Sequence, residues 1–237
     1  MSRPIHVMNS TWADLLGCGI EDLERPGTRI VPASDPAYHG AQLFRRGAAC
    51  IVSAPPPMVS EIARLVELQE PDAVFDPTLL LELFAARVER LIGPAYLGYL
   101  EPEEFRPADT RGTRLLTGTD RPALDCLASA CQRTEWEHSG IEWGAAPLFG
   151  CFVEGELAAS GILSLWRPDL AHVGILTHPS YRGRGCGKAV VSAMAAYGLA
   201  HGRTLQYRTL LANEPSVCIA RSLGFHDYAS TLAVRFR

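Results

Sequence analysis

The chain has no paired cysteines, no long apolar run and no surplus of positive charge. Its seven cysteines (18, 50, 126, 131, 151, 186 and 218) are odd in number and never spaced C-x-x-C. They stand in segments that read as buried strands and helices, which excludes a disulfide framework and leads us to expect reduced thiols. His and Cys do not cluster at ligand spacing and H-E-x-x-H is absent, so no metal is expected. No segment approaches the roughly 18 consecutive apolar residues of a membrane span. The opening MSRPIHVMNSTWADLL lacks the basic start and apolar run of a secretory leader. A cytoplasmic location without membrane contact is the resulting expectation. A formal net charge of −4 gives no general attraction to nucleic acid, and none is expected as a partner. Repeats and low-complexity tracts are also missing.

What is present suits compact, globular folding. Over 237 residues, 47% are hydrophobic and 20% charged, enough for a core in one large or two small domains. GAQLFRRGAACIVSAP reads as a hairpin turning at Arg46-Gly47, and PMVSEIARLVEL then puts Val59, Ile62, Leu65 and Val66 on one helical face. A second helix is expected from Asp76-Pro77, a side-chain cap with proline at the first helical position, to Gly93-Pro94. AYLGYL returns as a strand. This small α+β unit is expected to span residues 1–108, joined through the polar stretch Glu101 to Arg111 to a second domain over 109–237. It carries no recognisable chemistry. Covering a sheet edge, lining an acceptor pocket and forming a homodimer contact all stay open for it.

The most informative segment is LAHVGILTHPSYRGRGCG, Leu170 to Gly187, followed by KAVVSAMAAYGLAHG. It reads as a strand, a glycine-rich turn and a helix. Arg182, Gly185 and Gly187 have the spacing R-x-x-G-x-G, so backbone N–H groups of the turn and the helix start can converge on one anion. A pyrophosphate fits there, drawn by the helix macrodipole of roughly half a positive charge and by Arg182, Arg184 and Lys188. A Walker loop would need glycine at Arg182 and Ser or Thr at Ala189, and a dinucleotide fingerprint would need glycine at Lys188. Neither fits.

The turn resembles the acetyl-CoA signature of the GNAT acyl-CoA N-acyltransferase superfamily, read here as Leu176, Pro179 and Arg182 to Gly187. A second family signature lies downstream: the strand TLQYRTLL, then Asn213, Ser216 and Leu223-Gly224-Phe225. Upstream, LFGCFVEGELAASGILSLW reads as a hairpin around Glu154-Gly155. Within the superfamily, GPAYLGYL, EWEHSG, THPSYRGRGCGKAVVSA and YRTLLANEPSV are similar to the two-domain, zwittermicin-resistance-type acetyltransferases. The resemblance covers roughly Thr113 to Phe236. It implies a mixed α/β fold with a mostly antiparallel central sheet, preceded by the smaller α+β domain.

It also implies direct acyl transfer from acetyl-CoA to an amine. The pantetheine arm would pair with the backbone of Ile175, Leu176 and Thr177. Arg182, Gly183, Arg184, Gly185, Cys186, Gly187 and Lys188 would hold the diphosphate, with Asn213 and Ser216 beside the cofactor. The oxyanion would meet the N–H of Leu176. His172 is a candidate base, because its ordinary pKa lies near 6.5 and its strand nears the acyl carbon. Glu135, Glu137 and Glu142 are rival bases. The stretch EWEHSGIEWG equally suits recognition of a cationic amine or an ion cluster around a half-buried Trp. His178 reads as structural.

Seven residues after Asn213, where the family commonly places a tyrosine, this chain has Ala220. Tyr207 and Tyr228 are the substitutes considered for protonating the thiolate, with departure of the free thiolate as the alternative. Cys186 and Cys218 are expected to pack rather than attack. The acceptor is expected to be a small-molecule amine. The rival from another class is a non-catalytic acyl-CoA-binding module.

Overall fold

The computed structural model describes residues 3–35, 37–66, 69, 71–84 and 87–237. Its contacts divide the chain into two units that exchange segments. One holds the residues up to Leu97 with Thr209–Asn213 and Tyr228–Arg237; the other holds Gly98–Arg208 and Glu214–Asp227. The expected division into 1–108 and 109–237 is linear, whereas these units interleave. The polar stretch after Glu101 is an internal connector of the second unit, tied by Arg106 N–H to Leu223 O at 2.9 Å and Ala108 N–H to Ser192 Oγ at 2.9 Å.

The first unit has strands β1 (Gly27–Pro32), β2 (Gly40–Arg46), β3 (Ala49–Ala54), β4 (Val88–Leu100) and β10 (His226–Phe236) in the order β1-β3-β2-β10-β4. β2 and β3 form the expected hairpin, with its turn at Gly47-Ala48 and Arg46 opposite Ala49. Helix α2 (Val59–Val66) buries Ile62 and Val66 in a core with Leu43, Val52, Leu232 and Phe236. Helix α1 (Arg3–Leu16) was not foreseen, although Met8, Trp12 and Leu16 repeat at helical spacing and all three are buried.

Asp76 caps as expected, accepting from Thr78 N–H at 2.8 Å, but the helix it opens, α4 (Pro77–Phe84), which follows the single turn α3 (Pro71–Val74), is short. Val88 onward is already strand, and Gly93-Pro94 lies inside it. The punctuation was read as a helix stop, whereas here it interrupts a strand, where glycine supplies φ +113° and proline's missing N–H is tolerated.

In the second unit, β5 (Thr113–Leu115), β6 (Leu148–Val153), β7 (Glu156–Arg167), β8 (Leu170–Thr177) and β9 (Thr204–Leu210) run in the order β9-β8-β7-β6-β5. Neighbouring strands here pair antiparallel except β8 with β9. The β6/β7 turn has φ +52° at Glu154 and +88° at Gly155, the left-handed pair that matches strand twist in a two-residue hairpin. A parallel pair needs a crossover, supplied by α7 (Cys186–Ala200). α7 packs so closely that a Cβ on Gly161 would meet Val190 Cγ1 at 2.9 Å.

The opposite face carries α5 (Arg121–Ala130) and α6 (Arg133–Ser139). There Leu124, Leu127, Ile141, Ile162 and Leu176 form a second core, each buried side chain stabilising by roughly 1.5–3 kcal/mol. The sequence Asp120-Arg-Pro-Ala reads as an acidic cap with proline in the first turn of a helix, and proline does stand in the first turn of α5. Asp120 is not its side-chain cap, because that carboxylate accepts from both Arg114 guanidinium nitrogens at 2.7 Å and from Thr117 N–H at 2.8 Å.

Candidate functional site

β8 and β9 form a fork. They pair in parallel over four positions, from Leu170 opposite Thr204 to Val173 opposite Tyr207, and pairing stops there. β8 keeps pairing with β7 on its other side as far as Thr177 opposite Ala159. Beyond Val173 one edge of β8 therefore has no strand against it, among the described residues.

Strand alternation decides which backbone groups face that gap. His178 N–H bonds Ala158 O at 2.9 Å on the β7 side. Counting back by twos, Leu176, Gly174 and His172 also direct their backbone groups toward β7, while Ile175 and Thr177 direct theirs into the fork. Thr177 O agrees, since Arg182 Nε reaches it at 3.4 Å and Cys131 Sγ at 3.9 Å. The expected role of Leu176 N–H as oxyanion donor is thus corrected: that N–H faces β7, and its side chain is in the core. Ile175 N–H is the first donor inside the fork.

The wide end of the fork opens on the glycine turn. Gly183 and Gly185 have φ +76° and +84°, and nothing lies within 4 Å of where their Cβ would be, so glycine is required there by conformation. Gly187 is required by packing, since its Cβ would stand 2.8 Å from Thr177 Oγ1. The first α7 position bonded into the helix is Ala189, whose N–H donates to Gly185 O at 2.9 Å. The N–H groups of Cys186, Gly187 and Lys188 thus point out of the helix start, toward the turn.

Not all of the expected cationic charge is uncommitted. Arg182 Nη2 lies 2.8 Å from Glu135 Oε1, and the Arg184 guanidinium sits over the Tyr181 ring at 5.3 Å. His178 is structural, its Nδ1 accepting from Ser180 N–H at 3.1 Å.

The candidate bases fare differently. Glu135 is divided between Arg182 and the Gln132 N–H at 3.1 Å. Glu137 forms an exposed pair with Arg133 at 2.7 Å, and Glu142 is exposed. His172 shares the α5/α6 face with Gly174, whose Cβ would overlap Ser139 O. The residue is half-buried, and its Nδ1 is sealed from solvent without a hydrogen-bond partner. Burial, reinforced by the nearby Arg208 charge and opposed by Gln206, pushes its pKa down to about 4. His172 is therefore neutral at physiological pH and a weak base. Gln206 is buried and donates from Nε2 to Tyr99 OH at 2.8 Å.

On the opposite face, Tyr207 OH and Ser216 Oγ share a buried hydrogen bond of 2.9 Å. Ser216 lies in the first turn of α8 (Glu214–Ser222), and Asn213 immediately precedes it. Burial pushes the Tyr207 phenol up to about 12, with the Ser216 bond acting the other way. Tyr228 donates to Asn9 Oδ1 at 2.7 Å in the first unit, which commits that phenol. The closing Leu223-Gly224-Phe225 has a physical basis: Gly224 has φ +99° where a Cβ would overlap Glu104 O, and Phe225 packs edge-on to Tyr207 at 5.4 Å.

Cys186 is buried, and burial followed by the adjacent Cys151 thiol raises its pKa, against activation by the helix start. Cys218, expected to pack, is exposed, because Ser216, Val217 and Ala220 form the buried side of α8. Among the described residues, no three His, Cys, Asp or Glu come together as a metal site, and no helix is long and apolar enough to cross a membrane.

Residues 120–225, the segment containing the fork and the turn, match the model of the acetyltransferase (GNAT) family. A GNAT-family protein from Novosphingobium aromaticivorans is 28% identical, with a TM-score of 0.51 over 62% of this chain and 66% of that one. The chain thus spans just under two thirds of that relative's length. An acetyltransferase of the GNAT family from Colwellia psychrerythraea has the same TM-score over 80% of this chain and 77% of its own at 17% identity, a likeness of fold. No curated protein matches. This segment is thus similar in sequence to the acetyltransferase (GNAT) family, and the chain is similar in fold to solved members of that family.

Proposed function

We propose that this chain is a member of the GNAT superfamily, an acetyl-CoA-dependent N-acetyltransferase acting on a small-molecule amine. The observation that carries the reading is the fork: at Ile175 and Thr177 β8 offers a backbone edge with no strand against it, directly beside a glycine turn at a helix start. When bound there, acetyl-CoA supplies the activated acyl group. Ile175 and Thr177 pair with the amide arm as an added strand would. N–H groups from Gly183 to Lys188 hold the diphosphate, with Arg182 and Arg184 beside it and Ser216 as a further contact. Ile175 N–H points at the thioester oxygen, where negative charge gathers as the amine attacks.

His172 faces the α5/α6 side, from which the amine enters. Held neutral, it accepts a hydrogen bond from the amine and orients it, and its low basicity leaves deprotonation to water. Only the neutral fraction of the amine then reacts. Glu137 and Glu142, exposed on or after α6, help to attract the cationic form.

A second reading is favoured by Ala220 and by the weak basicity of His172: a module that binds acyl-CoA without turnover. Incubation with acetyl-CoA and a panel of polyamines, amino acids and aminoglycosides separates the two. Amine-dependent release of free CoA supports the enzyme, and tight CoA binding with no release across the panel supports the module.

A further inference from the structure

We propose that Cys151 of β6 and Cys186 at the start of α7 are a modification site, joined in a reversible disulfide by a hydroperoxide, and that this bond loosens the hold of the glycine turn on its anion. The second half rests on the reading of that turn as the CoA diphosphate site. Both thiols are free in this structure.

Two stripes of side chains bring the pair together. Cys186, Val190, Met194 and Tyr197 recur at helical spacing along one side of α7. Val190 and Met194 of that stripe lie against Gly161 of β7, and Tyr197 packs edge-on to Phe149 of β6 at 5.5 Å. The stripe therefore faces the sheet. Cys151 follows Phe149 by two residues and shares its face. Two antiparallel steps make β6 parallel to β8, while α7, crossing back from β8 to the parallel β9, runs the other way. The end of β6 thus meets the start of α7. There the Cys186 thiol is in side-chain contact with that of Cys151, the two residues being 6% and 4% exposed.

Cys186 is the first to react, because it lies directly under the exposed turn Arg182 to Gly185, whereas Cys151 is within a strand. Its thiolate attacks one peroxide oxygen and the O–O bond breaks. Two electrons leave the sulfur, which becomes a sulfenic acid, and the departing oxygen takes up a proton. Cys151 then attacks the sulfenic sulfur. The S–S bond forms, the S–O bond breaks, and the Cys151 proton leaves with the hydroxyl as water. Burial and then Cys151 raise the Cys186 pKa, with its own backbone N–H and Arg184 opposing, so thiolate is scarce and the first step is slow. The second is fast, since the partner is already in place. The pair thus answers to sustained oxidant and keeps Cys186 from going on to sulfinic acid.

The consequence for the turn follows from position. The N–H groups of Cys186, Gly187 and Lys188 are the outward donors of the helix start. A covalent bond holds two sulfurs closer than a non-bonded contact does, so it draws the first residue of α7 toward β6 and turns these donors off their anion.

The test compares the full chain before and after hydrogen peroxide. Mass-spectrometric mapping of the unreduced digest is expected to show the Cys151 and Cys186 peptides joined, and separated again by dithiothreitol. Calorimetry is expected to show CoA bound about tenfold or more weakly by the linked protein, the scale of one lost hydrogen bond to a charged group, with dithiothreitol restoring it. Cys151→Ala should start with wild-type CoA affinity and form no such link. The same treatment should carry its Cys186 to sulfinic acid, because nothing condenses with the sulfenic acid. A treated wild type without the 151–186 link overturns the inference, and this result needs no variant. A link that leaves CoA affinity unchanged overturns its effect on the turn. If the reduced protein does not bind CoA at all, the reading of the turn fails, and the peptide map alone decides the disulfide.

Discussion

Arg182 of the glycine turn and Glu135 of α6 are held 2.8 Å apart, although 47 residues separate them in sequence. The pair links the two sides of the candidate site: one residue belongs to the glycine turn proposed to hold the diphosphate, the other to the helix beside the proposed amine entry. Glu135 competes with any diphosphate for the same guanidinium. Both side chains are substantially exposed, at 50% and 33%, so the competition is weak in energy.

Glu135→Gln is therefore expected to tighten CoA binding by no more than about fivefold, the scale of an exposed ion pair. Arg182→Ala is expected to weaken it. Calorimetric titration with CoA measures both, and weaker binding in Glu135→Gln would mean that the carboxylate positions Arg182 for the cofactor.

The two glycines of the cradle are expected to fail differently. Gly185→Ala meets no atom but forces φ +84° on a side chain, at about 1–2 kcal/mol, and should weaken CoA binding more than stability. Gly187→Ala drives a methyl group against Thr177 Oγ1 and should lower thermal stability. Adding Thr177→Ala should restore part of that loss, and a double-mutant cycle reads the coupling.

His172 predicts two pH dependences. Since it is a weak base, kcat/KM should climb with pH toward the pKa of the amine itself, without an inflection near 6.5. Stability should move as well. The folded-state pKa lies near 4, below the unfolded value of about 6.5, so the unfolded chain binds the extra proton between these values. His172 thus costs nothing above pH 6.5 and destabilises progressively as pH falls toward 4, on the order of 3 kcal/mol in all. In denaturant melts between pH 7 and 4, wild type should lose more stability than His172→Gln, by about that amount.

Asp120→Asn removes a carboxylate whose pKa is held far below its usual range, first by Arg114 and then by Thr117 N–H. The Asp120 side chain is 9% exposed, and the substitution is expected to cost about 1–3 kcal/mol in a denaturant melt at neutral pH. The sign follows from the depressed pKa. The stabilisation is complete above pH 4 and disappears as pH falls below that, so the two proteins should approach one another in strong acid.

Much of the candidate site was legible before the structure. R-x-x-G-x-G at 182–187, the Asp76 cap, the Glu154-Gly155 turn and the apolar face of α2 each depend on residues a few positions apart, where local sterics and hydrogen bonding decide. The misreadings have equally specific causes. Gly93-Pro94 punctuates a strand as readily as it ends a helix. Asp120 looks like a cap in isolation and answers instead to Arg114. Cys218 was judged by its apolar neighbours in sequence, but helical rotation puts it on the outer side of α8.

By itself the sequence determined where a strand, an anion-binding turn and a helix follow one another, because glycine conformation and hydrophobic period are properties of a short stretch. Only the tertiary structure decided that Ile175 rather than Leu176 offers its N–H to the fork, that Arg182 meets Glu135, and that a phenol from β9 faces Ser216. Alternation along a strand is visible in a sequence but its phase is not. That phase is set by register against β7 and β9, which depends on the packing of residues distant in the chain.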